Sequence, residues 1–325
     1  MKNKLSIVFF LVISLVSSYL IYNLNVNYND MSRSFYYLDN FIYVKIYTND
    51  NEASKYLDEV EKIYKKYSEL TNLKNGFPGS NNAYYICNNK VFSDYLKLDN
   101  RLYDLIDTSL DYMNNTDFDI RYGQARLDII SSLENGIVPV FSDIKVNDII
   151  LNNDSILNNH NCFDFSNIVH GYTNMKVKEY LESVGVTRYI LNNGGIVTLG
   201  NYYLPSGKYS VGLEDPNSLN DIFLTVYMNN MTVSSKGNIS SSYFINDKRY
   251  SSIVDFKNEK LGGDILSVSC VSKDPVKAEV YSSILFNMDY YDALALVNNT
   301  TDLEAIFYLS SEEQVLSDGF NAYIK

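Results

Sequence analysis

Residues 163–200 read FDFSNIVHGYTNMKVKEYLESVGVTRYILNNGGIVTLG. The order is a strand, a glycine turn at Gly171, an amphipathic helix over Met175–Val184, a second strand around Tyr189-Ile190-Leu191, and a second glycine turn at Gly194-Gly195. Glycine at such points lets backbone approach a ligand where a side chain would collide. A helix start beside such a turn also offers unpaired N–H groups to a phosphate. The stretch therefore predicts a ligand site on alternating strand and helix.

Working outward, Phe41–Tyr47 alternates as a strand, and 53–68 predicts a helix with Leu57, Val60, Ile63, Tyr64 and Tyr67 on one side. Phe77-Pro78-Gly79-Ser80 breaks the chain before a new ordered stretch at Asn82. A helix is expected over 94–113, with Leu98, Leu102, Leu105, Ile106 and Leu110 as its buried stripe. Residues 137–161 read as loop and short strands, and strands follow the motif region as far as Val271. Helices over 275–287 and 290–298 then complete an α+β layout of mixed and antiparallel sheets with packed helices.

The composition fits a folded body of enzyme size. The chain has 325 residues, 46% of them hydrophobic and 14% aromatic, enough for a large core and too apolar for a disordered chain. A net charge of −12 argues against a nucleic-acid partner, which needs a clustered basic surface. Three cysteines, Cys87, Cys162 and Cys270, are odd in number and lack any ligand spacing, so small core residues are expected rather than a disulfide framework.

The start of the chain reads differently. Lys2 and Lys4 precede the apolar run Leu5–Ile21, which is how a signal peptide or an uncleaved membrane anchor begins. Val16-Ser17-Ser18 is a weak cleavage site, which favours the retained anchor; a buried N-terminal helix is the bland alternative. The expected division is an export or anchor segment over 1–30 and one folded domain over 31–325. The expected location is the extracytoplasmic face of the cell membrane, or secreted.

A series of short blocks then follows in order. Asp164-Phe165-Ser166-Asn167-Ile168-Val169-His170-Gly171-Tyr172 precedes the helix, and Asn193-Gly194-Gly195 forms the second turn. Downstream come Tyr209–Pro216, Val233-Ser234-Ser235-Lys236-Gly237, Lys248–Phe256, Ala278–Ser283 and the closing strands around Glu304–Leu309. In this order the blocks resemble those of the FAD:protein FMN transferases, the ApbE family, from about Phe35 to the C-terminus. The resemblance implies that family's T-fold-like architecture. It also implies its reaction, in which FMN passes from FAD to a Ser or Thr hydroxyl of an exported protein, with magnesium as cofactor and release of AMP.

Carried over position by position, the resemblance assigns the metal to Glu279 and Ser283, which share a helix face one turn apart. The structural alternative is a helix-terminal Glu that complements a dipole. Asp255 and Ser252 fall at the catalytic positions. Asp164, Asn167, His170, Gly171, Tyr172, Asn193, Gly194, Gly195, Ser235, Lys236 and Gly237 fall at the flavin-binding ones. The chain also departs from the family pattern. His170 replaces a lysine, Ser251 and Ser252 replace paired histidines, and Ser166-Asn167 replaces a glycine pair. Lys236 offers a cation from another strand. These departures sustain a second reading, a catalytically degenerate relative that acts as a flavin-binding or surface interaction module.

Overall fold

Two residues of positive φ, Leu38 and Asp39, close the first hairpin, so that β1 (Asn29–Tyr37) folds back on β2 (Asn40–Thr48). The period-two pattern of β2 buries Ile42, Val44 and Ile46 and leaves Phe41 and Tyr43 exposed. The structure is a computed structural model and describes residues 29–89, 94–141, 145–158, 161–204, 206–237 and 239–324. Of the leader or anchor segment expected over 1–30, residues 1–28, with the whole apolar run, lie outside the described residues. The first strand already begins at Asn29.

Helices α1 (Ala53–Leu70) and α2 (Ala83–Asn88) follow, then β3 (Leu96–Lys97), α3 (Asn100–Asn115) and α4 (Gly123–Glu134). The small strands β4 (Ile150–Asn152) and β5 (Ser155–Leu157) lead to α5 (Val169–Ser183), β6 (Tyr189–Asn193) and β7 (Ile196–Leu199). Next come β8 (Tyr209–Glu214), β9 (Ile222–Met228), β10 (Thr232–Lys236), β11 (Ser242–Ile245), β12 (Lys248–Ser251) and β13 (Ile265–Ser272). The chain ends with α6 (Pro275–Phe286), α7 (Tyr290–Asn298), β14 (Glu304–Leu309) and β15 (Gln314–Leu316).

The principal sheet has eight strands in the order β1-β2-β6-β7-β10-β13-β14-β15, with every neighbouring pair antiparallel. On one face, α1, α3, α5 and the start of α6 pack against Ile42, Val44, Ile46, Tyr189 and Leu191. The β8–β9 hairpin covers part of the other face through Tyr209, Leu213, Val226 and Met228, against Leu199, Val233, Val271 and Ile306. Covered on both faces, β13 is buried at all but one position.

The α+β architecture agrees with the sequence reading, with four local differences. The helix expected over 94–113 starts only at Asn100, behind the Asp99 cap that accepts the Arg101 N–H, with Leu96–Lys97 in a short strand and Leu98 ahead of the helix. The strand expected at Phe163 is reduced to a parallel bridge between Cys162 and Tyr122, because the chain turns at 166–168, where Asp164 accepts hydrogen bonds from the Ser166 N–H and hydroxyl and the Phe165 carbonyl accepts from Ile168 and Val169. The helix consequently starts at Val169, six residues before Met175, and Gly171 lies in its first turn rather than in a loop. Finally, Cys87 and Cys162 form a disulfide. They are 75 residues apart, and their pairing depends on α2 packing beside the segment that enters α5, which no local spacing announces. Cys270 is the buried core residue expected, and burial pushes its thiol pKa up.

Candidate functional site

A Cβ at position 171 would run into the Pro275 carbonyl, so the first turns of α5 and α6 touch backbone to backbone only because residue 171 is glycine. That contact brings Glu279, one turn further along α6, onto the start of α5. The Gly171 N–H donates to Glu279 Oε2 at 2.7 Å. This is one of the N–H groups that a helix start leaves without an internal partner, and a carboxylate there complements the positive end of the helix dipole. Glu279 Oε1 lies 3.6 Å from Lys236 Nζ, with the two side chains 1% and 16% exposed. Glu279 thus caps α5 from a neighbouring helix and is matched by an ammonium from β10.

His170 sits beside this pair. The Asn193 side-chain NH₂ donates to the His170 carbonyl at 3.4 Å and to Asn174 Oδ1 at 3.5 Å, which fixes the direction of the Asn193 amide. His170 Nδ1 therefore carries the hydrogen that it donates to Asn193 Oδ1 at 3.1 Å, and the neutral ring keeps its lone pair on Nε2. Burial pulls the imidazole pKa below its usual value; Lys236 adds to the shift, while Glu279, Asn193 and Asp39 oppose it. Behind Asn193, the buried Asn174 accepts from the Tyr64 hydroxyl at 2.6 Å and donates to Thr198 Oγ1 at 3.1 Å. The Asp164 carboxylate is held by Arg126 at 3.1 Å, and the Tyr172 ring is buried edge-on against Tyr67 rather than turned to a ligand.

The second glycine turn is a two-residue connection between β6 and β7, with φ of +59° at Gly194 and +89° at Gly195. The Gly195 carbonyl accepts the Ser235 N–H at 2.9 Å, which anchors the turn to β10. Strand alternation then sends Ser234 toward Ser282, Ser235 toward Ser269 and Lys236 toward Glu279. Gly237 has a φ of +95°, and its carbonyl accepts from Arg249 Nη2 at 2.7 Å. Gly195, Ser235 and Lys236 also line a cleft of about 420 Å³ with Tyr209 and Glu214.

A larger cleft, about 810 Å³, opens where α3, α6 and the 254–260 loop meet, and Asn167, Asp255 and Ser283 all line it. Tyr122 and Phe256 stack on its wall with ring centroids 4.6 Å apart and planes within 10°. Asp255 is shaped by its own turn: Oδ1 accepts from the Lys257 and Asn258 N–H groups and Oδ2 from Asn258 Nδ2, all at 2.8–3.0 Å. Ser283 donates to the Glu279 carbonyl at 3.1 Å. Ser252 is partly buried, and its N–H donates to the Ser241 carbonyl at 3.2 Å.

Of the predicted residues, Gly171, His170, Asn193 and Lys236 thus gather in a closed cluster around Glu279, and Asn167 and Ser283 join Asp255 in an open cleft; Gly195 and Ser235 line the smaller cleft, and Ser252 lines neither cleft. Sequence reasoning missed Tyr122, Asn174 and Arg249 as parts of this framework. Arg249 was in view inside the Lys248–Phe256 block, where a half-buried guanidinium reaching the Gly237 and Pro216 carbonyls has no local signature.

The sequence model of the ApbE family matches residues 38–307. The chain belongs to the ApbE family. Among solved structures, the chain is similar to the ApbE protein of Thermotoga maritima, with a TM-score of 0.75 at 14% identity, covering 92% of this chain and all of that one. It is also similar to the flavin transferase ApbE of Vibrio cholerae, with a TM-score of 0.73 at 12% identity and coverage of 92% and 100%. At such identities the likeness shows the fold. A curated relative, the FAD:protein FMN transferase of Klebsiella pneumoniae, is 25% identical over 157 residues, 47% of this chain and 48% of that one. The match spans about half the length of that relative.

Set against a divalent metal, the donor set of this ApbE-family chain does not fit. Magnesium requires several oxygen ligands at about 2.0–2.1 Å in near-octahedral array. Glu279 directs one oxygen at an N–H and the other at an ammonium, and the Ser283 hydroxyl bonds a carbonyl of its own helix. Among the described residues, no group of three or more His, Cys, Asp or Glu converges on a metal position.

Proposed function

We propose that this chain binds FAD in the 810 Å³ cleft and transfers its FMN part to a Ser or Thr hydroxyl of an exported protein. The observation that carries this reading is the convergence on one cleft of Asn167, Asp255 and Ser283, from three separate chain segments, beside the flat Tyr122–Phe256 pair. A pair of stacked rings in a cleft wall offers polarisable apolar surface to a planar heterocycle. Asp255 is the carboxylate placed to take the proton of the attacking hydroxyl. As the hydroxyl oxygen bonds to the FMN phosphorus, the bond to AMP breaks, and the proton passes to Asp255. The turn around Asp255 fixes its orientation, while Oδ2, which accepts only from Asn258 Nδ2, keeps capacity for a further hydrogen bond.

Magnesium belongs to the reaction that the family resemblance implies. Because Glu279 and Ser283 are engaged as described, no step is assigned to the metal here. The Cys87–Cys162 bond supports an extracytoplasmic location, since disulfides persist in oxidising compartments, and the apolar run near the start supports attachment to the membrane. Protease added to intact cells is expected to remove the folded body; protection until lysis contradicts the location.

Activity is tested by incubating the purified chain with FAD and an acceptor protein bearing Ser or Thr, then reading flavin fluorescence on a denaturing gel. Labelling is expected, with a loss of about 10²-fold in Asp255→Asn, the contribution of a positioned base. One observation favours a second reading. Serine at 252, where the family carries histidine, is a poor base, and a chain that retains FAD yet labels no acceptor is a flavin-binding or interaction module.

A further inference from the structure

We infer that the Lys236 ammonium fills the cation position at Glu279, so that this chain's buried carboxylate is closed to magnesium and presents a fixed lysine charge instead. Three features carry the inference. First, both oxygens of Glu279 are engaged, Oε2 by the Gly171 N–H at 2.7 Å and Oε1 by Lys236 Nζ at 3.6 Å, in a side chain 1% exposed. A divalent ion bonded to Oε1 would lie within roughly 6 Å of that ammonium, and the like charges would repel in a site with little water to screen them. Second, the lysine is held in place. Strand alternation aims it at α6, and the next residue, Gly237, is locked at φ +95° where a Cβ would collide with the Leu266 carbonyl and the Phe286 ring. Third, among the described residues no group of three or more His, Cys, Asp or Glu converges on a metal position, so nothing else near Glu279 completes a divalent site.

The inference deepens the flavin reading but is measured without it. The full-length chain is titrated with Mg²⁺ by calorimetry and with Mn²⁺ by water-proton relaxation, alongside Lys236→Met and Glu279→Gln. The native chain is expected to bind either ion no better than Glu279→Gln does. Lys236→Met, which frees Oε1, is expected to gain a divalent site at least ~10-fold tighter than the native chain. A native site that disappears in Glu279→Gln overturns the inference, as does a folded Lys236→Met with no gain. Should Lys236→Met not fold, the comparison of native with Glu279→Gln decides alone. FAD affinity with and without EDTA supplies the second arm. Equal affinities support the inference, and a ~10-fold loss on chelation overturns it. If FAD does not bind at all, the transferase reading fails while the metal titrations still give their answer.

Discussion

The closed cluster at Gly171, Glu279 and Lys236 and the open cleft at Asp255 both descend from blocks of sequence that read as one site, yet they are built on opposite principles. In the cluster, two helix starts and a strand end meet without room for a side chain at 171, and the polar groups named there find partners inside the protein. In the cleft, Asp255 sits on a turn that satisfies itself locally and leaves a free volume beside stacked rings. A ligand motif can persist because it holds helices together, or because it touches a ligand. The difference shows in what each region loses when one residue is changed.

The largest expected effect is on folding. Glu279→Ala would leave the Lys236 ammonium and the Gly171 N–H without their partner, a loss of about 3–5 kcal/mol for breaking one side of a buried pair. Glu279→Gln keeps an acceptor for Gly171 and should lose less. Asp255→Ala removes only a turn and should cost about 1 kcal/mol or less. Urea unfolding of the three variants checks the order. If Asp255→Ala proved as costly as Glu279→Ala, the division between architectural and ligand-facing regions would collapse.

Next comes the disulfide, which touches both regions. Cys162 precedes the turn into α5, and its carbonyl accepts the Gly123 N–H at 2.7 Å beside Tyr122 of the cleft. Reduction releases a loop spanned by 75 residues, and chain entropy sets the loss at up to about 4.5 kcal/mol. A midpoint unchanged by reductant, or by Cys87→Ser with Cys162→Ser, would remove the disulfide from the account of this region's rigidity.

A smaller effect isolates the cleft. Phe256→Ala removes one ring of the Tyr122–Phe256 stack, and FAD binding should weaken by about 2- to 12-fold, the range of one aromatic contact, with little change in the urea midpoint. Fluorescence titration with FAD measures it. Unchanged affinity would move the flavin elsewhere, with the 420 Å³ cleft the next place to look.

Much of the fold was legible because period and punctuation agree. Alternation marked β2, the stripe through Leu57, Val60 and Tyr64 marked α1, and the step from Asp274-Pro275 marked the start of α6. The strand misread at Phe163 shows the limit. Phe163 and Phe165 alternate like a strand, but the Asp164 side chain bonds Ser166 and bends the backbone into a turn. In the site, Gly194-Gly195 announced its turn correctly. Gly171 announced a close approach, but sequence could not say that the approaching body is Pro275 rather than a ligand. Glu279 and Ser283 do share a helix, as their spacing requires. What engages Glu279 comes from β10 and α5, 43 and 108 residues away, beyond any local pattern.

The last prediction concerns His170, which lies at the edge of the closed cluster and reports its dryness. Burial lowers the folded-state pKa from the usual 6.5, with Lys236 reinforcing the shift and Glu279, Asn193 and Asp39 working against it. Above about pH 6.5 the ring is neutral in both folded and unfolded chains and carries no penalty. As pH falls below that value, the unfolded chain takes up the proton first. The stability associated with the neutral ring is then lost progressively until pH passes below the folded value. The native chain should therefore lose more of its urea midpoint than His170→Gln between about pH 7.5 and about pH 5.5, a range in which ordinary carboxylates stay ionised. The difference should be the smallest of the four effects, because Glu279 partly offsets the burial. A native chain that became more stable on acidification than His170→Gln would mean that the imidazolium is favoured beside Glu279. Lys236 would then not be the cation that the carboxylate relies on, and the cluster would have to be reassigned around a charged histidine.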